Sequence, residues 1–484
     1  MNRRDFLRQA LSAAACGGAM GLAGCAERKR GPERFPIQRP NILFILADDL
    51  GYGDLGCYGQ RRIQTPNLDR MAQEGLRFTQ HYAGSAVCAP SRCSLLTGFH
   101  TGHARIRGND RRPLLPEDVT IAERLREAGY TTGVIGKWGL GEAGSTGIPT
   151  RQGFDYFFGY LNQQHAHNYY PEFLWRNEEK VPLPNVVERP AGRPNHPGGV
   201  STNRAVYSHD LFMEEAERFV RQNASRPFFL YLALTIPHAN NEAGVKGMEV
   251  PDWGPYAQED WPEPQKGYAA MITRMDEGIG RLLAVLKELG IDERTIVFFS
   301  SDNGPHQEGG ADPRFFQSSG PLRGFKRDLY EGGIRVPMLV RWPGVIRPGG
   351  RTEHVSAFWD FYPTCLELAG LEAEEGLDGI SFLPVLLGQE NRQKEHPYLY
   401  WELHEAGGIQ AIRMGRWKAI RRNLASESNP PIELYDLKLD PMESRDVSRD
   451  YLPIAKKMQQ LFQTARTESP DYRFGAERTA AESD

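Results

Sequence analysis

Cysteine is scarce in this chain: six residues among 484, at positions 16, 25, 57, 88, 93 and 365. Scattered thiols in that number make no disulfide framework, so the fold must be held by a buried apolar core. No His/Cys cluster has zinc spacing. A dominant charge is lacking too. With 58 basic and 62 acidic residues the formal net charge is −4, which argues against a nucleic-acid binder or a polyanion coat. An anionic substrate would be caught by a few local cations, not by a general positive field. Beyond the first 24 residues no apolar run is long enough to span a bilayer. No internal repeat or low-complexity tract is present. At this length two domains are the natural expectation.

What is present is a set of apolar runs that end in polar clusters. Residues 41–47 are unbroken (Asn-Ile-Leu-Phe-Ile-Leu-Ala), as a strand buried on both faces of a parallel sheet requires, and stop at Asp48-Asp49. Residues 131–135 run into Gly136-Lys137-Trp138, 227–236 into Pro237-His238, and 295–299 into Asp302-Asn303-Gly304. Helices are expected over 66–74, with Thr65 as cap and Pro66 in the first turn, over 116–128, and over 267–289. This alternation predicts an α/β fold, a mostly parallel central sheet flanked by helices. Sites in such sheets form outside the carboxyl ends of the strands. One acidic pair after a strand is often only a turn or a helix cap; four coincident polar ends are harder to dismiss. Asp48, Asp49, Asp302 and Asn303 offer only oxygen ligands, which suits a hard divalent cation, Ca²⁺ or Mg²⁺.

The densest motif is Cys88-Ala89-Pro90-Ser91-Arg92, continuing Cys93-Ser94-Leu95-Leu96-Thr97-Gly98. As local structure it reads as a short helix, with Pro90 in the first turn and Gly98 at the stop. Cys88 then sits at the helix N-terminus, where free N–H groups and the dipole favour an anion, and Arg92 lies one turn on, on the same face. The stretch resembles the signature of type I sulfatases of the alkaline phosphatase superfamily. In that family the Cys is oxidised to formylglycine by a generating enzyme that reads this segment. The resemblance implies a sulfate ester hydrolase, and the modification has a chemical reason. A thiol or hydroxyl attacking sulfur leaves a sulfo-enzyme that water must split in a second difficult step. A hydrated aldehyde has two hydroxyls on one carbon: one attacks sulfur, and deprotonation of the other expels sulfate by C–O cleavage.

The same resemblance implies the remaining roles. It makes Asp48, Asp49, Asp302, Asn303 and residue 88 the metal ligands, with Ca²⁺ before Mg²⁺. It makes Arg92 a holder of the nucleophile, Lys137 and Lys326 the sulfate-binding cations, and His238 or Lys326 the acid for the leaving alcohol. Lys326 lies in Leu322-Arg323-Gly324-Phe325-Lys326, ahead of Glu331-Gly332-Gly333-Ile334-Arg335, also family-like. One position departs. The family commonly reads Gly-Lys-Trp-His-x-Gly; this chain reads Gly136-Lys137-Trp138-Gly139-Leu140-Gly141. The His that usually orients or deprotonates the formylglycine hydroxyl is absent. His165, His167 and His306 are candidate replacements, and His167 and His306 are candidate substrate contacts. Tyr169, Tyr170 and Trp175 are candidate faces for sugar rings.

Asn2-Arg3-Arg4-Asp5-Phe6-Leu7 resembles a twin-arginine export signal, and Leu22-Ala23-Gly24-Cys25 a bacterial lipobox. Residues 1–24 are therefore expected to be an export signal and Cys25 a lipid anchor in the periplasm or at the cell surface. Residues 36–390 are expected to form the catalytic domain. After it, period-two runs joined by Gly turns and a helix over 451–465 predict a smaller C-terminal domain of antiparallel sheet plus helix over 391–470, then a flexible tail over 471–484. Export and long Pro-rich insertions at 181–199 and 248–264, the second carrying Trp253 and Trp261, favour an extracellular sulfated carbohydrate. The alternatives are a phosphodiesterase or phosphonate monoester hydrolase on the same fold, and an inactive surface glycan-binding protein, which Gly139 brings into question.

Overall fold

The computed structural model describes residues 39–427 and 429–474. The expected export signal, Cys25 and residues 475–484 of the expected tail lie outside them. Strand Asn41–Ala47 is buried at every residue. It pairs in parallel with Thr295–Ser301 on one side and with Phe228–Ala233 on the other. Phe228–Ala233 pairs in parallel with Thr131–Lys137, and that strand with Tyr156–Tyr160. These parallel strands are the centre of an eleven-stranded mixed sheet. The expected strands are therefore immediate neighbours, and their ends are level: Ala47 pairs with Ser301, Leu46 with Ala233, and Gly136 with Ala233. Antiparallel strands extend both edges, Arg335–Arg341 and Leu76–Tyr82 on one side, Phe173–Arg176 and Glu179–Pro182 on the other.

The apolar runs are unbroken because both faces are covered. Leu43, Ile45, Leu230, Leu232, Val297 and Phe299 share one cluster with Met71, Phe212, Met213, Ile272 and Met275, from helices Pro66–Glu74, Ser208–Asn223 and Glu263–Glu288. The alternate residues Phe44 and Phe298 meet Phe361 of helix Phe361–Ala369 on the other face, at ring-centroid distances of 4.6 and 5.4 Å. Two helix starts differ from expectation. The helix expected from 116 begins at Ile121, because Thr120 and Glu123 form a capping box with each side chain bonded to the other's backbone N–H. The helix expected from 267 begins at Glu263, since Pro264 fits the first turn, where its missing N–H has no partner to lose.

Strands Leu399–Leu403, Ile409–Met414, Trp417–Arg421 and Ile432–Asp436 form a separate antiparallel meander. Helix Leu452–Thr464 covers one face, with Met458 and Phe462 among Tyr400, Ile412 and Leu434. The other face packs Trp401, Ile409 and Tyr435 against Tyr82, Val87 and Trp359. Trp401 Nε1 donates to Ala83 O at 2.9 Å. This small sheet thus clamps the segment that leads into Cys88. No helix among the described residues is long and apolar enough to cross a membrane.

Candidate active site

A regular strand continuing past Ala47 would send Asp48 and Asp49 to opposite faces. Asp49 instead adopts left-handed backbone, φ 64°, which Asp tolerates better than most residues, and the two carboxylates converge. Ligand atoms of Asp48, Asp49, Cys88 and His238 all lie within 4.8 Å of one another. Asp48 Oδ2 accepts from Lys137 Nζ at 2.8 Å and lies 3.6 Å from Arg92 Nη2, while Oδ1 lies 3.4 Å from Cys88 Sγ. Asp49 Oδ2 accepts from Lys326 Nζ at 2.8 Å and Oδ1 from Asn303 Nδ2 at 2.7 Å. Asp302 Oδ2 accepts from Arg92 Nε and Nη2 at 3.0 and 2.8 Å, and Oδ1 from the Asp49 N–H at 3.1 Å. Arg92 Nη1 donates to Lys137 O at 2.7 Å. The guanidinium, on helix Cys88–Thr97, is thereby locked to two strand ends.

All of these groups are buried, and the charges are paired because isolated ones would be prohibitively costly there. Burial alone would raise Asp48, but the Lys137 and Arg92 cations hold its carboxyl well below the usual carboxylate range. Burial would lower Lys326, but Asp49 holds its ammonium above the ordinary value. Asp302 is pushed up to about 7 by burial and by Asp48, against the pull of Arg92. Asn303 Oδ1 is buried without a hydrogen-bond partner. A carboxylate short of positive charge and a free amide oxygen beside it are the donor set a hard cation takes. The residues present fit a Ca²⁺- or Mg²⁺-type site made by Asp48, Asp49, Asp302 and Asn303. Burial, then the Asp48 charge, push the Cys88 thiol well above its ordinary value.

His238 and Lys326 lie beside this centre. Lys326 Nζ is 3.0 Å from His238 Nε2 and 3.3 Å from Glu308 Oε2, and His238 Nδ1 donates to Ala239 O at 2.6 Å. With Nδ1 protonated for that bond, Nε2 is the acceptor and Lys326 the donor. Burial and the Lys326 charge push His238 down to about 3. His167 stacks on His238, ring centroids 4.9 Å apart, and meets Glu242 Oε2 at 3.2 Å. His306 uses both nitrogens on backbone: Nε2 donates to Pro237 O at 2.9 Å and Nδ1 accepts from the Glu308 N–H at 3.0 Å. His165 packs between Tyr160 and Phe173. Tyr169 and Tyr170 are 0% and 4% exposed, and the Tyr169 hydroxyl bonds His238 O and Thr235 O. The Tyr169 ring braces the loop that carries His238, Tyr170 packs on Tyr207, and neither offers a face to a sugar; Trp175 is half-buried on the strand next to the edge strand Glu179–Pro182. Sequence reasoning missed Glu308, which bridges Lys326 and Arg327. Its only signal was its place in the polar loop that begins at Asp302.

The family model for sulfatases matches residues 40–371. The chain belongs to the sulfatase family. A second model, the C-terminal region of N-sulphoglucosamine sulphohydrolase, matches residues 324–468. Human arylsulfatase A is 34% identical to this sulfatase over 84% of this chain and 82% of its own. N-acetylgalactosamine-6-sulfatase of the dog is 33% identical over 79% of this chain and 72% of its own. Among solved structures, Ps i-CgsB in complex with k-i-k-neocarrahexaose superposes with a TM-score of 0.74 at 29% identity, covering 88% of this chain and 93% of that one. The enzyme is a sulfuric ester hydrolase, and its family generally uses a metal ion and formylglycine.

Proposed function

We propose that this sulfatase hydrolyses a sulfate ester on an extracellular carbohydrate, with residue 88 as formylglycine and a divalent cation, Ca²⁺ before Mg²⁺, held by Asp48, Asp49, Asp302, Asn303 and residue 88. The observation that carries the reading is the setting of Cys88. Its thiol sits at a helix N-terminus, 1% exposed and 3.4 Å from Asp48 Oδ1, with ionisation strongly disfavoured, so a thiolate nucleophile is the wrong chemistry for this position. In the mature enzyme Sγ stands for a hydroxyl oxygen of the hydrated aldehyde. When bound, the cation supplies charge stabilisation to the attacking oxygen and to the sulfate.

The chain's own groups do the rest. Arg92 fixes Asp302 and the Lys137 carbonyl, and Lys137 and Lys326 present ammonium groups to the sulfate oxygens. One hydroxyl, its proton gone to solvent, attacks sulfur; the S–O bond to the alcohol breaks, and the alcohol oxygen takes a proton from Lys326, directly or through His238 Nε2. The second hydroxyl then returns a proton to the Lys326–His238 pair, the C–O bond breaks, sulfate leaves and water rehydrates the aldehyde. One proton is released per turnover. The sugar assignment is supported by the dog relative's name, by the oligosaccharide in the Ps i-CgsB complex, and by the export-like residues 2–7. Those residues also support export to the bacterial periplasm or surface, and the lipobox-like Leu22-Ala23-Gly24-Cys25 supports a lipid on Cys25.

The decisive experiment co-produces the protein with a formylglycine-generating enzyme, reads residue 88 by peptide mass, and assays sulfated mono- and oligosaccharides beside matched aryl sulfate and phosphate esters. An aldehyde at 88 and sulfate release from a sugar are expected, with Cys88→Ala folded and inactive. Full activity with an intact thiol would sink the mechanism. Preference for phosphate esters would point to the rival phosphodiesterase, and tight binding of sulfated glycan by modified protein without sulfate release to a binding protein.

A further inference from the structure

Position 139 is where this chain departs from the family's Gly-Lys-Trp-His pattern, and another side chain fills the space. Gly139 lies two residues beyond Lys137, with its N–H bonded to Leu161 O at 3.1 Å and the Trp138 N–H to Tyr160 O at 2.9 Å. Its backbone is left-handed, φ 76°. A Cβ on Gly139 would lie 2.4 Å from Gln163 Nε2 and 2.8 Å from Gln163 Cδ. The Gln163 carboxamide thus occupies the volume into which a side chain at 139 would project.

That amide nitrogen is buried and has no hydrogen-bond partner. Leaving a buried N–H₂ unpaired costs about 1–3 kcal/mol, and a native group in that condition calls for an explanation. The turn around it gives none, since its other polar side chains are engaged. Asn162 Nδ2 donates to Glu142 Oε1 at 2.5 Å, Asn162 Oδ1 accepts from the His165 N–H at 3.0 Å, and Gln164 Oε1 accepts from Arg111 Nη2 at 2.8 Å. The turn is fixed by its flanks, leaving one donor unused beside the Lys137 strand end. Nor does a histidine fill the gap. His165 is packed between aromatic rings, His167 lies on His238, and His306 spends both nitrogens on backbone.

We propose that Gln163 takes the place left by Gly139, its Nε2 donating a hydrogen bond to an oxygen of the reacting group, either the sulfate or the hydroxyl of residue 88. The inference rests on the formylglycine reaction proposed above. A carboxamide neither gains nor loses a proton in the working pH range. Gln163 therefore orients and stabilises, while proton transfer stays with Lys326 and His238.

The test compares modified wild type with Gln163→Met, which keeps the bulk and removes the amide. The unpaired donor is lost, so the thermal midpoint should hold or rise, while kcat should fall about 100-fold, as when one oxyanion donor is removed. A merely structural glutamine would show the opposite pattern. Gln163→Glu, which replaces the donor by an acceptor facing an anion, should fall at least as far, and it decides the matter if the Met variant does not fold. The double variant Gly139→His/Gln163→Gly should recover activity and gain an imidazole limb in its pH–kcat profile that wild type lacks. Wild-type kcat and KM in Gln163→Met, beside active wild type, would overturn this role alone. Modified wild type with no sulfate ester turnover would overturn the reaction, and this role with it.

Discussion

Asp302 answers to two neighbours at once, the Arg92 guanidinium on Oδ2 and the Asp49 backbone on Oδ1. Asp302→Ala takes from the fully buried Arg92 guanidinium its bonded carboxylate, leaving Asp48 Oδ2 at 3.6 Å, a loss of about 3–5 kcal/mol, and removes one proposed cation ligand. A lowered thermal midpoint, loss of bound Ca²⁺ by elemental analysis and loss of turnover are expected together. Exhaustive chelation of wild type should also stop turnover, with Ca²⁺ restoring it better than Mg²⁺; activity with no metal present would contradict the ligand set. The four proposed oxygen ligands and Lys137 stood out in the sequence because each follows an apolar run, and strand ends on one edge of a parallel sheet must be neighbours; Lys326, in a loop, was singled out by the family resemblance alone. Gln163 and Glu308 were not. Their positions follow from loops folding across those strand ends, which no periodicity reports. Tyr169 and Tyr170 were misread for the same reason: aromatic residues in a loop look alike whether they brace it or face solvent.

Among the elements, the small sheet is tied to the rest of the chain by buried ions as well as by rings. Lys418, in strand Trp417–Arg421, reaches Glu331 Oε1 and Glu443 Oε1, each at 2.9 Å, and all three are fully buried. Glu331 also accepts from the Tyr82 hydroxyl at 2.6 Å. Lys418→Met fits the space but removes the cation between Glu331 and Glu443, leaving Glu331 with Arg335 at 3.3 Å, a change expected to cost about 3–5 kcal/mol. Lys418→Met/Glu331→Gln should recover part of it in a thermal or urea melt; no difference between single and double variants would show that the tie carries no energy. The period-two pattern predicted these strands but not the ion triad, since Lys418 on an alternating strand reads as an outward charge. The two helix starts show how local chemistry overrides pattern. A Thr-x-x-Glu box moved one start forward to Ile121, and a first-turn proline let the other begin earlier at Glu263.

For the molecule as a whole, these ties set its acid limit. Burial would raise Glu331 and Glu402, but Lys418 in one case, and His404, Arg107 and Arg466 in the other, hold each carboxyl down to about 2 against an ordinary value of 4.5. A depressed carboxylate contributes stability that is complete above pH 4.5 and is lost as pH falls through about 2, because the unfolded chain takes up the proton first. Glu402 alone accounts for about 3 kcal/mol on this reckoning. Denaturant melts should therefore weaken steadily between pH 4.5 and 2. A flat profile across that window would show that these groups are not what limits the enzyme in acid.

Every residue of helix Cys88–Thr97 is buried, under a sheet whose Trp401 is hydrogen-bonded to Ala83 just upstream. A modifying enzyme that reads this stretch as a linear sequence can do so only before the chain closes over it. On the formylglycine reading proposed above, maturation is a race between oxidation and folding, run once per molecule. On that reading, chains that fold first would stay inactive. Specific activity of a preparation would thus record the history of its synthesis, set by how fast the nascent chain met the modifying enzyme and not by any later adjustment of conditions.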